Sequence, residues 1–429
     1  MKIMILGANG FLGEHVTKRL LDSDHEVLCA AHHPHEVLNQ FPKAQVIACD
    51  FLEDTASAIW LPRLEGVDVI INCVGIFYHF NKAVIWTLHY LAPKALYTAA
   101  EKQQVKKIIH VSALGIERYD TEYARSKLAV EEWLKTSTVP AYVLRPSFIY
   151  GQGARGGIAL MASLASLPII PLPGHGEQCL QPIHIDDLSE AIHQLVDKPL
   201  SRFEILTAVS SQEISIRQLL LSLRSWLKLK PTFMLPLPLG LLNIAAWFGN
   251  FISGSRINSA ALQMLEKGNT ASREEVLQFE QTTEVKPRSF DEGLRQTPST
   301  EGDHLTARFM VLTPLLRLSL AFMWIASALT SFFYGRDHSY ALLSEINIPS
   351  AWQPGLLYGA ATLNAIIGMA LLLHIKTRFF CWVQLAVILV YTLIISIALP
   401  HLWLEPFGPV VKNIPILVGI IMLCVLERD

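Results

Sequence analysis

Tyr123 and Lys127 stand four residues apart in "YDTEYARSK", a spacing that puts both side chains on one face of a helix. A phenol that titrates near 10 is a poor proton donor and acceptor at neutral pH. An ammonium beside it, with an oxidised nicotinamide nearby, stabilises the phenolate and brings it toward the range that acid/base catalysis requires. Ser112 ends the preceding apolar run "KKIIHVSA", where its hydroxyl is expected to polarise a substrate carbonyl. A lone Tyr-x-x-x-Lys pair also describes a solvated helix face, so its weight comes from what precedes it.

What precedes it is "MKIMILGANGFLGEHV", with Gly7, Gly10 and Gly13 directly after a strand and at the start of a helix. A side chain at Gly7 would obstruct the tight turn, one at Gly10 would hold the backbone away from a pyrophosphate, and one at Gly13 would push helix from sheet. Asn9, Phe11 and Leu12 complete the loop, and the amides at the helix N-terminus face the phosphates. This predicts a dinucleotide as ligand. Cofactor choice is read at the end of the second strand, where an acid favours the NAD ribose. The chain has "AAHHPHE" there, with His32 and His33 in place of an acid, which favours NADP over NAD. Asp50 ends the third strand and is placed to accept from the adenine amino group; the bland reading is a loop cap.

These residues need a rigid frame. The apolar runs "KIMILG", "EVLCAA", "QVIACD", "DVIINCVG", "KKIIHVSA" and "AYVLRPS" alternate with helical stretches, the pattern of a parallel sheet covered on both faces. The fold class is an α/β Rossmann-like doubly wound parallel sheet with a small C-terminal lobe, over residues 1–230. In "PIHIDDL" the acid at Asp186 or Asp187 reads as a helix cap, and no metal site is called for.

The totals point to a second unit. At 429 residues the chain exceeds one ordinary domain. Its net charge of −2 gives no basic field for nucleic acid. The 51% hydrophobic content and mean hydropathy of +0.35 are high for a soluble chain. The six cysteines form no C-x-x-C pair, and read as buried thiols in a reducing compartment. Residues 231–307 read as an apolar segment, 233–252, that spans, lies in the interface or packs, followed by a polar connector. From Phe309 four apolar stretches follow, 309–333, 355–373, 379–399 and 413–426, predicting an all-α four-helix transmembrane domain over 308–429. Lys376, Arg378, Arg308 and Arg428 against Arg336 and Lys412 place both ends inside, giving a multi-pass membrane protein with the nucleotide-binding domain on the cytoplasmic side. Arg317 lies within the first stretch, where a charge calls for a partner, an aqueous pocket or snorkelling.

With "GANGFLG", "CDF", "NCVG", "VSALG", "YARSK", "LRPSFIYGQG" and "QPIHIDDL" on the page, residues 1–230 resemble the short-chain dehydrogenase/reductase superfamily. The branch is the extended or atypical, NAD-dependent epimerase/dehydratase-like one, near the complex I accessory subunit and NmrA-like proteins. The resemblance implies Ser112, Tyr123 and Lys127 as the catalytic group and Phe51, Asn72, Val74 and Gly75 beside the cofactor. Arg145 and Pro146 would open the loop over the nicotinamide. The 11-residue interval from Ser112 to Tyr123 is shorter than is usual in sugar-nucleotide epimerases of the superfamily. "LRLSLAFMWIASALTSFF", "LLYGAATLNAIIGMALLL" and "PFGPVVKN" resemble DoxX-like four-helix membrane proteins. The joint expectation is a membrane-tethered NAD(P)-dependent oxidoreductase or epimerase/dehydratase-like enzyme acting on a lipidic or quinone-like substrate. The competing reading is an NAD(P)H-binding assembly or sensor subunit, in a membrane complex or homo-oligomer. A nucleotide-gated transporter is a third.

Overall fold

The computed structural model describes residues 1–154, 156–250, 259–406 and 408–427. Phe407, Arg428 and the end of the 233–252 stretch, all used in the sequence reading, lie outside the described residues. The chain divides into two compact units, one made of residues 1–250 and 254–307 and the other chiefly of 308–429.

The first unit is built on strands β1 (Lys2–Leu6), β2 (Glu26–Ala31), β3 (Gln45–Ala48), β4 (Val69–Asn72), β5 (Lys107–Val111), β6 (Ala141–Pro146) and β7 (Phe203–Ala208). They form one sheet in the order β7-β6-β5-β4-β1-β2-β3, and every neighbouring pair is parallel. Alternation along each strand sends side chains to opposite faces. Thus Ile3 and Ile5 join Val16, Leu20, Leu188 and Ile192 on one face. Met4 and Leu6 join Leu96, Tyr97, Val130 and Leu134 on the other. The chain leaves β1 and β4 toward opposite neighbours, and the crevice beyond their C-terminal ends is where such sheets bind ligands.

Six of the seven strands follow the apolar runs. The seventh, β7, carries Glu204 among its outer residues and lies at the sheet edge, so it lacks the unbroken apolar signal of a central strand.

The polar connector expected at the end of 231–307 is instead part of the first unit. Helix Arg273–Thr283 buries Val276, Phe279 and Thr283, and helix Phe290–Gln296 buries Phe290, Gly293 and Leu294. Phe279 enters the same core as Ile3 and Leu206. A short face of three apolar or small residues on an otherwise charged helix is hard to recognise without the surface it covers. Within 233–252, Met234–Leu237 pairs in parallel with Ile170–Pro173, and Leu239–Gly249 is an 11-residue helix. At about 1.5 Å per residue that helix cannot cross a hydrocarbon layer of roughly 30 Å.

Among the described residues, three helices are long and apolar enough to cross a membrane: Glu301–Tyr334, Gln353–Leu372 and Thr377–Ala398, the first beginning in the first unit's residues and the rest in the second unit. Asn413–Leu426 is a shorter apolar helix of 14 residues. Leu320, Ile367, Cys381 and Ile420 form its core, and Trp324 Nε1 donates to Gln384 Oε1 at 2.8 Å inside it. A side-chain carbon on Gly368 would stand 2.6 Å from Ile325 Cγ1, the close helix approach that small residues permit. Arg317 has its partner: its guanidinium lies 3.1 Å from Glu427 Oε1, and His374 Nε2 lies 3.0 Å from Oε2 of the same carboxylate.

Phe279→Ala should destabilise the first unit by about 3–5 kcal/mol, because it leaves an aromatic-sized void in a closed core. Thermal unfolding of the whole chain in mild detergent checks this; an unaltered transition would mean that residues 268–306 are a free connector after all.

Candidate functional site

The glycine turn follows directly from β1. Gly7 has φ +75, a left-handed value that glycine adopts without strain. Its N–H donates to Ala30 O at 3.1 Å, and its carbonyl accepts from Gly10 N at 2.9 Å. A side-chain carbon on Gly13 would lie 2.1 Å from that same Gly7 carbonyl oxygen, so helix Phe11–Leu21 can start here only without one. Gly10 is the N-cap of this helix and offers no capping side chain. The first-turn amides therefore point outward with no protein side chain on them, a cradle suited to a diphosphate. Asn9 and Phe11 are partly exposed at its rim, while Leu12 is turned into the core.

At the tip of β2, His32 is exposed and its Nε2 lies 3.4 Å from Asp50 Oδ2. Asp50 Oδ1 accepts from Leu52 N at 2.8 Å, so this carboxylate is already engaged in its own loop. Phe51 is buried edge-on against Trp60, which leaves only its backbone for a ligand. Asn72 closes β4: its Nδ2 donates to Tyr97 Oη at 2.9 Å and its Oδ1 accepts from Val74 N at 3.0 Å. That brings Val74 against the Gly7 turn, 3.2 Å from where a Gly7 side chain would begin.

Helix Glu122–Thr136 presents Tyr123, Lys127 and Glu131 on one face. It starts at Thr121, whose side chain accepts from Ala124 N. Lys127 is buried and its Nζ donates to Val111 O at 2.8 Å; burial brings its pKa down to about 8, partly opposed by Glu131. The Nζ would be 3.5 Å from a side-chain carbon on Gly75, so the ammonium sits at the crevice. Tyr123 packs its ring against Phe77 at 5.1 Å and His89 at 5.4 Å. Enclosure pushes its phenol up to about 12, the opposite of the lowering expected from Lys127.

Ser112 departs from expectation. Its hydroxyl donates to the buried carboxylate of Glu131, which also holds Arg145 through Nε at 3.2 Å and Nη2 at 2.5 Å. Arg145 reaches Glu117 as well. This buried cluster ties β5, β6 and the helix together and engages both Ser112 and Arg145. The residues that do wall the crevice beside Tyr123 are Ala113, Leu114, Pro146 and Ser147.

Glu131 and His89 were missed in the sequence. Glu131 continues the four-residue spacing of Tyr123 and Lys127, a signal that was available. His89 sits in a π-helical turn, Thr87–Leu91, a feature common near functional sites. Its Nε2 accepts from Ile76 N at 3.2 Å and its Nδ1 faces Ser126 Oγ at 3.0 Å. Burial lowers its pKa to about 2, so it stays neutral and acts as a fixed brace behind Tyr123. Near "PIHIDDL" the cap is His184, which accepts from Asp186 N, while Asp187 binds Arg288 at 2.6 Å.

Tyr123 opens into a cavity of about 570 Å³, walled mainly by apolar side chains that include Leu160, Met161, Leu164, Leu242, Leu262 and Leu265. Two polar atoms on this wall, Ser147 Oγ and Asn269 Oδ1, are buried with no hydrogen-bond partner among the described residues.

Residues 3–205 match the NAD dependent epimerase/dehydratase family, and residues 321–421 match the DoxX-like family. Over 197 residues the chain is 26% identical to NADH dehydrogenase [ubiquinone] 1 alpha subcomplex subunit 9, mitochondrial, of Arabidopsis thaliana, covering 44% of this chain and 48% of that one. It therefore spans about half the length of that relative. It is 25% identical over 187 residues to the ceramide reductase of Caulobacter vibrioides, covering 43% of this chain and 57% of the reductase. The crystal structure of UDP-glucose 4-epimerase from Thermotoga maritima, with UDP-glucose, superposes with a TM-score of 0.53 at 17% identity, over 71% of this chain and 100% of the epimerase. At that identity the likeness is one of fold. The chain thus joins an NAD-dependent epimerase/dehydratase-type domain at residues 3–205 to a DoxX-like domain at residues 321–421.

Proposed function

We propose that the protein is a membrane-tethered NAD(P)-dependent oxidoreductase of the short-chain dehydrogenase/reductase type, acting on an apolar substrate. The observation that carries this reading is Tyr123 facing a large, mainly apolar cavity while Lys127 and the glycine turn lie along the same edge of the sheet. Asn9, Phe11, Leu12 and Gly13 hold the diphosphate through backbone amides, on a turn that Gly7 and Gly10 close with theirs. His32 stands at the 2′-position of the adenosine ribose, and Asp50 with the Phe51 backbone borders the adenine. Asn72, Val74, Gly75, Tyr123, Lys127 and Pro146 flank the nicotinamide, with Arg145 fixing Pro146 from behind through Glu131.

A nicotinamide held there would supply hydride chemistry to a substrate carbonyl carbon, in either direction. Tyr123 gives its phenolic proton to the carbonyl oxygen, and the phenolate regains one from water. A phenol at about 12 is a reluctant acid, so the site needs positive charge near the oxygen; Lys127 at the crevice and an oxidised nicotinamide both provide it. The similarity to a ceramide reductase supports a lipidic substrate. The Lys and Arg distribution supports a cytoplasmic nucleotide domain.

Tyr123→Phe should cut reduced-cofactor consumption on membrane lipid extracts by about 10²–10⁴-fold while dinucleotide affinity is unchanged. Equal turnover by variant and parent would refute the role of the phenol.

NADP is the favoured cofactor, from the absence of an acid at the β2 tip and the exposed imidazole of His32. His32→Asp should shift the NADP-to-NAD affinity ratio by about tenfold or more toward NAD. Titration of both cofactors checks it, and tighter NAD binding by the parent would reverse the assignment.

A second reading is favoured by one observation, the commitment of Ser112 to Glu131. It makes the chain a dinucleotide-binding assembly subunit, in line with its likeness to the complex I subunit of Arabidopsis thaliana. Failure of the parent to oxidise NAD(P)H with any extract would select it.

A further inference from the structure

Helix Leu239–Gly249 has two apolar faces. Leu242 and Ala246 point inward, Leu242 onto the cavity wall and Ala246 into the core beside it. Leu241, Ile244 and Trp247, spaced three apart on the other side, are 58%, 56% and 55% exposed. The strand before it adds Leu235 and Phe233 at 44% and 64%. No charged residue occurs from Phe233 to Ile252, and Lys228 and Lys230 stand exposed just ahead. An apolar stripe with an aromatic anchor and adjoining cations is the composition of a segment seated at a lipid interface. Among the described residues, three helices of the chain are long and apolar enough to cross such a bilayer. Solvent would have to tolerate five neighbouring large apolar side chains, which soluble surfaces avoid.

The cavity beneath has a matching character. Its walls are apolar from Leu160 to Leu265, with Tyr123 among the few polar side chains that line it. A ligand with one small polar head meets that phenol while its tail fills the rest. Water-soluble, many-hydroxyl substrates would leave their own groups unpaired against these walls.

We propose that the outer face of Leu239–Gly249 beds in the bilayer leaflet, and that the cavity below it takes a single-headed amphiphile directly from that leaflet, with its head toward Tyr123. Resting on the oxidoreductase reading, this names its substrate class and route of entry. The helix acts as a portal: one face in lipid, the other roofing the site.

The test needs no turnover. The whole chain is placed in nanodiscs of phosphatidylethanolamine and phosphatidylglycerol, with p-benzoylphenylalanine at position 244, 77 or 221 in turn. Phe77 lies at the cavity mouth and is itself aromatic; Leu221 is an exposed leucine on another helix. Illumination should yield lipid adducts at 244 and 77, about tenfold above those at 221. Leu241→Glu with Trp247→Glu should lower labelling at 77 by about tenfold, since charge is expelled from the interface. Adducts at 244 to a second copy of the chain, or lipid labelling no higher than at 221, overturn the proposal, as does labelling at 77 that ignores the Glu substitutions. Lipid adducts in a protein that never oxidises NAD(P)H would leave the portal standing and remove the catalytic reading alone.

Discussion

The contact between the Gly7 carbonyl and the backbone at Gly13 governs the first unit. A strand that ends in a left-handed glycine and a helix that starts against its carbonyl fix where β1 stops, where the first helix begins, and which amides remain free. The remaining strands have to reach the same edge for anything to be built there. Asn72 closes β4 beside that turn through Val74, and Lys127 reaches the crevice from the helix after β5. The buried Glu131 then locks β5 to β6 by gathering Ser112 and Arg145. A carboxylate this deeply buried is tolerable only because it is matched by a guanidinium and a hydroxyl. Stability and site geometry are therefore the same set of bonds.

Local patterns were legible in the sequence, and long-range ones were not. Continuous apolar runs gave six strands, and the glycine spacing gave the turn, because both are decided within a dozen residues. Tyr123 and Lys127 share a helix face by arithmetic. The fate of Ser112 depended on a partner 19 residues on and on which way the chain turns past β5. Past the end of β5 the hydroxyl of Ser112 meets Glu131 while Ala113 and Leu114 take the cavity wall. The charged helices after residue 268 hid their few buried positions, Val276, Phe279, Phe290 and Leu294, for the same reason. Edge strand β7 carries polar residues and has a partner on one side alone, so it lacks a continuous apolar run.

In the second unit the residues follow a different solvent. Exposed Leu, Ile and Val on its helices are ordinary against lipid, and its polar residues are the informative ones. Arg317 and Glu427 pair at one end, and Trp324 binds Gln384 within the bundle. Asn364 Oδ1 is buried with no partner among the described residues. The two pairs pin helices together in a medium where the hydrophobic effect does little.

The most direct test of the account is dinucleotide binding to the purified whole chain in mild detergent, followed by the fluorescence of NADH and NADPH, in the parent and in Gly13→Ala. A side-chain carbon 2.1 Å from the Gly7 carbonyl must displace the turn, so the account expects saturable binding by the parent and a loss of about a hundredfold or more in the variant, with its helical signal retained. Binding that is undiminished in Gly13→Ala, or absent in the parent, would contradict it.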